Sequence, residues 1–382
     1  MSLVKLYISN VRNLQSVKLE GLQNVNVFYG PNGSGKTSVL EAVHILGMAR
    51  SFRGASIKSL ITHQQDSCTV YGLASSSFTD GFSQALGVSR ERAGASQIKV
   101  AGKAVRSVAQ LVEHLPLQVI NSDSFDLLTG PPNARRRFLN WGVFHVEHRF
   151  FSEWQRFQRC IKQRNVVLRR GKMVQELSVW TRDLAKSGAT INSFRLDYIT
   201  RLVPHFQRIV DILMPYMAGK LELRYRQGWD KTLDYSQALD ASLLSDQEQG
   251  YTHVGPQRAD IRVFVDGHLA SDTLSRGQQK LVVTALKLAQ GQLMTEINRG
   301  DCTYLVDDLP SELDRTHCQR VCEILASMSA QVFVSCVELE DIDALWPDSE
   351  ELGMFHVEQG VITRTENARP TKGGLVVKAK EI

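Results

Sequence analysis

At 382 residues, 43% hydrophobic and 22% charged, the chain has the composition of a folded globular protein, which excludes a low-complexity or fibrous polypeptide and leaves room for one large domain or two ordinary ones. No apolar run approaches the ~20 residues of a membrane helix, and Met1-Ser2-Leu3-Val4-Lys5 enters a strand pattern directly, so no anchor or leader and a cytoplasmic location are expected. The net charge of +5 is unevenly spread: eleven Arg or Lys face only two acids (Glu147, Glu153) between Pro131 and Lys172, which points to an anionic partner. Six cysteines without a C-x-x-C pair read as reduced thiols, not as a metal centre.

In chain order, strands are predicted over residues 3–8, 17–22 and 25–29, followed at once by Gly30-Pro31-Asn32-Gly33-Ser34-Gly35-Lys36-Thr37 and a helix over 35–48, with Ser38 counted beside the octapeptide as a nucleotide-binding candidate. This is a P-loop in its proper strand-to-helix context. Glycines let the backbone wrap an anion with its N–H groups, Lys36 reaches the β- and γ-phosphates, and the Thr37 hydroxyl is a Mg²⁺ ligand. The chain is expected to bind a nucleoside triphosphate, ATP or GTP.

Short β runs over 67–105, turning at Ala101-Gly102, read as an antiparallel patch. A strand over 117–120 precedes the Pro131-Pro132 break. Aromatic-rich helical patterns over 133–169 and 177–214, the second kinked or interrupted at Pro204, form an expected inserted lobe. After a strand over 221–226 and a polar connection over 227–250, the pattern returns to α/β: strand 261–265, helix 277–298, strand 304–307, helix 315–327, strand 332–335. A hairpin over 354–357 and 361–363 turns at Gln359-Gly360. The expected division is residues 1–130 and 219–365 as two parts of one α/β head, 131–218 as the helical lobe, and 366–382 as a disordered tail.

Three further segments narrow the class. Tyr304-Leu305-Val306-Asp307-Asp308 is an apolar strand ending in two acids, a Walker B pattern: Asp307 would sit beside Mg²⁺ and Asp308 would polarise the attacking water. Leu274-Ser275-Arg276-Gly277-Gln278-Gln279-Lys280, opening a long helix, is similar to the ABC signature with Arg276 in place of a glycine. Ser275 and the free N–H groups at that helix start form an anion site that, in ABC-type ATPases, meets the γ-phosphate held by the opposite protomer. Ser311-Glu312-Leu313-Asp314 looks like a D-loop. The switch histidine of such cassettes is absent, since the next strand ends Phe333-Val334-Ser335-Cys336, and Asp308 stands where a glutamate is usual.

The interval from Lys36 to Leu274 takes more than half of the chain, too long for a transporter cassette and too short for a full SMC coiled-coil arm. Six fragments together resemble the RecF family: Ser9-Asn10-Val11-Arg12-Asn13-Leu14; Gly130-Pro131-Pro132 with Arg135-Arg136-Arg137-Phe138-Leu139; Gly255-Pro256-Gln257-Arg258-Ala259-Asp260; the signature segment; the Walker B and D-loop segment; and Met354-Phe355-His356-Val357-Glu358-Gln359-Gly360. Asn140 and Gln257 depart from the usual Asp and His, and Ser122 from a common Pro.

The resemblance implies an ABC/SMC-type α/β ATPase head. It further implies an ATP- and Mg²⁺-dependent homodimer that binds duplex DNA beside single-stranded gaps, works with RecR and RecO, assists RecA loading, and hydrolyses ATP weakly. It puts Arg12 and Asn13 near the nucleotide and Arg50 and Arg53 near the phosphates. From the charge run, Arg135, Arg136, Arg137, Arg156, Arg159, Lys162 and Arg164 are the candidate DNA contacts. The competing readings are a transporter's nucleotide-binding subunit and a DNA clamp that holds ATP with negligible hydrolysis.

Overall fold

The computed structural model describes residues 2–54, 56–75, 83–171, 174–298, 302–328, 330–343, 345–347 and 351–365; the expected tail over 366–382 lies outside these. In chain order the elements are β1 (Ser2–Val11), β2 (Leu14–Glu20), β3 (Val25–Tyr29), α1 (Lys36–Met48), α2 (Ile57–Leu60), β4 (Ser67–Ser75), β5 (Ser83–Glu91), β6 (Ser96–Val100), β7 (Lys103–Val105), α3 (Val108–His114) and β8 (Leu117–Ile120). Then come α4 (Asp126–Thr129), α5 (Pro132–Val146), α6 (Phe150–Arg170), α7 (Val174–Leu213), β9 (Leu221–Arg226), α8 (Tyr235–Ala241), α9 (Leu243–Gln249), β10 (Asp260–Val265), β11 (His268–Leu269), α10 (Ala270–Thr273) and α11 (Arg276–Asn298). The chain closes with β12 (Thr303–Val306), α12 (Leu309–Glu312), α13 (Arg315–Ser327), β13 (Gln331–Cys336), α14 (Glu340–Asp343), β14 (Leu352–Glu358) and β15 (Val361–Thr365).

The chain divides into two compact units, Met1–Ser124 with Arg299–Ile382, and Phe125–Asn298. In the first unit, β14, β3, β13, β12 and β8 lie side by side in that order and parallel, with β15 antiparallel on the β14 edge. β12 and β13 are buried along their whole length, as strands covered on both faces must be. A second sheet, order β2-β1-β4-β5-β6-β7, is antiparallel throughout and alternates buried and outward residues, so only one of its faces enters the core. α1 contacts strands of both sheets and α3, which explains why nearly all of its residues are buried despite their mixed polarity. The expected antiparallel patch is therefore larger than residues 67–105, because β1 and β2 belong to it. The helix α3 had no expectation.

In the second unit, α7 runs unbroken through Pro204, which excludes the interruption that was one of the two alternatives expected there, the other being a kink. Leu202, Phe206, Ile209, Val210 and Leu213 bury one stripe on both sides of the proline, and α7 packs along α6 and α11, so tertiary burial outweighs the lost backbone bond. Residues 219–298 belong to this unit and not with the P-loop unit as the expected boundary had it: the β9-β10-β11 sheet buries Leu221, Leu223, Ile261 and Val263, and α7 contacts both β9 and α11. The polar 227–250 connection is largely helical. Asp234 and Gln237 form a reciprocal capping box at the start of α8.

Candidate nucleotide-binding site

β3 delivers the chain to the P-loop at the end of the parallel sheet where β12 and β13 also finish. Two glycines fix the loop's path. Gly30 has φ +142, and a Cβ there would lie 2.2 Å from the Val357 carbonyl oxygen; Gly35 has φ +123, and its Cβ would meet Asn13 Nδ2 at 2.9 Å. Asn13 then clamps the loop: Nδ2 donates to Ser34 O (2.9 Å) and Oδ1 accepts from Ser38 Oγ (2.9 Å). The turn of the β14–β15 hairpin adds Gly360 N donating to the same Ser34 carbonyl (2.8 Å). Pro31, Asn32 and Gly33 remain exposed at the tip, while Ser34, Gly35, Lys36 and Ser38 are buried. A loop so held presents its N–H groups without further ordering, which is what an anion site at a helix start requires.

Lys36 Nζ donates to Gly30 O (2.6 Å) and Pro31 O (3.0 Å). Burial pushes the lysine pKa down, against the opposing pull of Asp308, Cys336 and Asp307. Thr37 Oγ1 donates to Asp307 Oδ1 (2.9 Å), and Ser335 Oγ donates to the same oxygen (2.8 Å) while accepting from Asp308 N (2.9 Å). The strand order explains this cluster: β13 lies between β3 and β12, so its last residues face both the P-loop and the Walker B acids. Asp308 takes a left-handed conformation (φ +55). Thr37 Oγ1 and Asp307 Oδ1 are oxygens of the kind that a hard divalent cation accepts as two of its several ligands. Among the described residues no cluster of three or more His, Cys, Asp or Glu is arranged to hold a metal.

Arg12 occupies the tight turn between β1 and β2 at φ +54. Its guanidinium donates twice to the fully buried Glu41 of α1 and once to Ser59 O (2.6 Å). Ser51 Oγ also donates to Glu41 and accepts from Arg53 N and Gly54 N, so one buried carboxylate ties α1 to the loop that carries Arg53. The P-loop, Asp307, Asp308, Ser335, Arg12, Arg53, Lys58 and Arg92 line one cleft of about 750 Å³, in the range of small-molecule sites. Arg53 lines that cleft, whereas Arg50 is not among its lining residues and contributes its carbonyl to His44 Nδ1 (2.7 Å). Glu41, Ser335, Lys58 and Arg92 were not singled out from the sequence. Ser335 was marked only by ending the strand beside Walker B.

Ser311 closes a turn on Asp308, donating from both N and Oγ to its carbonyl, and Asp314 caps α13 by accepting from His317 N (3.1 Å). In the second unit, Ser275 and Gln278 cap α11 reciprocally, Ser275 N to Gln278 Oε1 (2.9 Å) and Gln278 N to Ser275 Oγ (3.4 Å). Ser275, Arg276 and Gly277 are exposed, so this helix start is open to an outside anion.

The basic candidates separate sharply. Arg135 is buried in a two-pronged pair with Asp260 (2.7 and 3.1 Å), and Arg164 is fully buried against Asp246 (2.7 Å) and Thr252 (2.8 Å). Both are corrections: these side chains hold the fold and do not reach a surface phosphate. Arg136 is half-buried on the Ala259 carbonyl, with burial lowering its pKa, and Arg156 pairs with Asp183 (3.3 Å). Arg137, Arg159 and Lys162 are exposed. All six cysteines are buried and none is in a disulfide; desolvation pushes the Cys318 thiol up to about 11 and Cys322 higher still, as inert core thiols. No helix among the described residues is long and apolar enough to cross a membrane.

Residues 2–363 match the model of the RecF/RecN/SMC N-terminal domain family. The "DNA replication and repair protein RecF" of Pseudomonas entomophila is 48% identical over 97% of this chain and all of its own length; that of Pseudomonas syringae pv. tomato is 49% identical over the same share. Among solved structures, the recombination mediator protein RecF-ATP in the RecFOR pathway superposes with a TM-score of 0.82 at 25% identity, covering 95% of this chain and 97% of its own. An SMC head bound to the C-winged helix domain of ScpA gives 0.58 at 13% identity over 95% and 97%, a likeness of fold alone.

Proposed function

The chain belongs to the RecF family, with the α/β head of ABC/SMC ATPases, and from that premise we propose that it is an ATP-dependent DNA-binding protein of recombinational repair and replication restart. The transporter-subunit alternative falls with the family. The observation that carries the reading is the Lys36, Thr37, Asp307 and Ser335 cluster at the ends of three adjacent parallel strands, beneath a P-loop clamped by Asn13.

In this reading the P-loop N–H groups and Lys36 hold the β- and γ-phosphates, and Arg12 and Asn13 flank them. Thr37 and Asp307 would hold Mg²⁺, which neutralises phosphate charge when bound. Asp308 orients the attacking water. Two copies close on two nucleotides: each γ-phosphate is bonded by Lys36 of one copy and by Ser275, Arg276, Gly277 and Gln278 at the helix start of the other, with Ser311 and Asp314 of the D-loop at the seam. The closed dimer grips duplex DNA beside single-stranded gaps through exposed cations, and acts with RecO and RecR to assist RecA loading.

Light scattering with ATP, ADP and no nucleotide tests the core of this reading. ATP alone is expected to yield a dimer; Lys36→Met abolishes nucleotide binding, and Ser275→Arg keeps binding but stays monomeric. A Ser275→Arg dimer of undiminished size removes the signature from the trans site. A clamp with negligible hydrolysis is favoured by one feature, the short Asp308 carboxylate on a left-handed residue whose N–H is tied to Ser335. Single-turnover hydrolysis separates clamp from ATPase.

A further inference from the structure

The antiparallel sheet turns one face outward, and its register aligns an unusual row across it. Lys18 pairs with Tyr7, Tyr7 with Tyr71, Tyr71 with Gly87, and Gly87 with Lys99, so these five residues from five adjacent strands share one face. The tyrosine rings meet at 5.7 Å and 53°, and Lys18 Nζ lies 5.8 Å from the Tyr7 ring centroid. Tyr71 is 39% exposed. On its other side stands Gly87, where an added Cβ would meet nothing closer than Lys99 Cβ at 3.9 Å and Tyr71 Cδ2 at 4.0 Å.

Tyr71 and Lys99 thus wall a slot whose floor is bare backbone. Two strand spacings separate them, roughly 9.5 Å, which admits one flat ring with about 3.5 Å of contact distance to each wall. The neighbouring row on the same face is Ser16, Ser9, Thr69, Ser89 and Gln97, an unbroken line of hydrogen-bonding groups. Among the described residues, the charges on this face around the slot are Lys5, Lys18 and Lys99, with Glu20, which bonds Lys5 (3.1 Å) and Lys18 (3.3 Å), and Glu91, two rows along β5 from Gly87.

We infer that this face is a docking site for single-stranded DNA, one base entering the slot over Gly87 and stacking on Tyr71. The inference rests on the DNA-binding reading above and adds a second contact surface to it. The chemistry selects the strand form. A duplex offers phosphates but keeps its base faces stacked, whereas a single strand offers free π-faces to an aromatic wall and phosphates to flanking lysines.

Gly87→Val is the decisive variant. It fills the slot, finds room for its side chain, and raises strand propensity, so the sheet folds at least as well. With fluorescein-labelled oligo(dT) and the full chain, anisotropy is expected to show binding weakened roughly tenfold by Gly87→Val and by Tyr71→Ala, while affinity for a blunt duplex is unchanged. If the unaltered chain binds both DNAs and Gly87→Val binds oligo(dT) as tightly, the slot is overturned and the DNA-binding reading stands. If the unaltered chain binds neither DNA, that reading fails and takes the slot with it.

Discussion

Arg12 and Glu41 form a two-pronged ion pair, Nε to Oε2 and Nη2 to Oε1, both at 2.8 Å, between the β1–β2 turn and the middle of the P-loop helix. Glu41 is fully buried and also receives Ser51, whose hydroxyl holds the backbone of Arg53 and Gly54. One carboxylate therefore sets the position of two cleft arginines. Removing it leaves the Arg12 guanidinium without a countercharge, with the Ser59 carbonyl still accepting from it: Glu41→Ala is expected to cost about 3–5 kcal/mol in urea unfolding. Glu41→Gln, which keeps the shape, costs about 1–3 kcal/mol and weakens binding of a fluorescent ATP analogue. Unchanged affinity in a folded Glu41→Gln would show that neither arginine touches the nucleotide.

Arg164 and Asp246 make a second buried pair, in the helical unit, where Asp246 also accepts from His253 N (3.0 Å) and Ser242 Oγ (3.3 Å). Arg164→Ala removes the guanidinium from a buried carboxylate that then keeps only His253 (Nδ1 at 2.7 Å, and its N–H) and Ser242, and is expected to lower stability by about 3–5 kcal/mol. Because Arg164 does not reach the surface, DNA affinity of the folded fraction is expected to be unaltered; a drop in affinity without a drop in melting temperature would contradict its assignment to the fold.

The P-loop, the Walker B acids and the helix start at Ser275 were legible because each is local: a few adjacent residues carry both the chemistry and its geometry. What was illegible is non-local. Arg135 and Arg164 look like surface cations in the sequence because their acids lie 125 and 82 residues away, across the unit. Ser335 and Asn13 gain meaning only when strand order sets β13 between β3 and β12, and when the β1–β2 turn reaches the P-loop. Pro204 was read by its local penalty, which the packing of a long helix overrode. The family resemblance supplied Arg12 and Asn13, but not the buried Glu41 that orients Arg12.

Asn140 accepts from the buried Arg195 (Nη2 to Oδ1, 2.8 Å), which also donates to the Pro256 carbonyl (2.8 Å), lies over the face of Trp154 and interacts with the Tyr225 hydroxyl. None of these is a carboxylate, and burial lowers the arginine pKa. Asn140→Asp supplies the missing countercharge at the same length. It is expected to raise stability by about 1–3 kcal/mol, read as a higher urea midpoint at unchanged slope. A lower midpoint would mean that desolvating the new carboxylate outweighs the pair.

His145 is packed between Trp141 (4.3 Å between ring centroids) and Phe144 (5.1 Å), and burial pulls its pKa down to about 3 from 6.5. The unfolded chain then binds a proton below pH 6.5 that the folded chain refuses until about pH 3. Unfolding is thereby favoured as pH falls, and stability is lost across that window by up to about 1.4 kcal/mol per pH unit from this group. His145→Phe is expected to flatten the slope of stability against pH between pH 6.5 and 5, whatever its effect on the absolute value. An unaltered slope would place the acid sensitivity on other groups.

Arg137, Arg159 and Lys162 are the exposed remainder of the basic run. If they meet phosphates, each releases a bound counterion from the duplex, and log K falls with log salt by about 0.9 per contact. Replacing all three with Ala is therefore expected to reduce the slope by about 2–3 and to weaken duplex binding most at low salt. Arg156, held by Asp183, is expected to add less, because its pair must break before it can serve a phosphate. Titrations of the triple variant at several salt concentrations decide the matter: a parallel line, shifted or not, would clear these three of phosphate contact and move the DNA surface elsewhere on the chain.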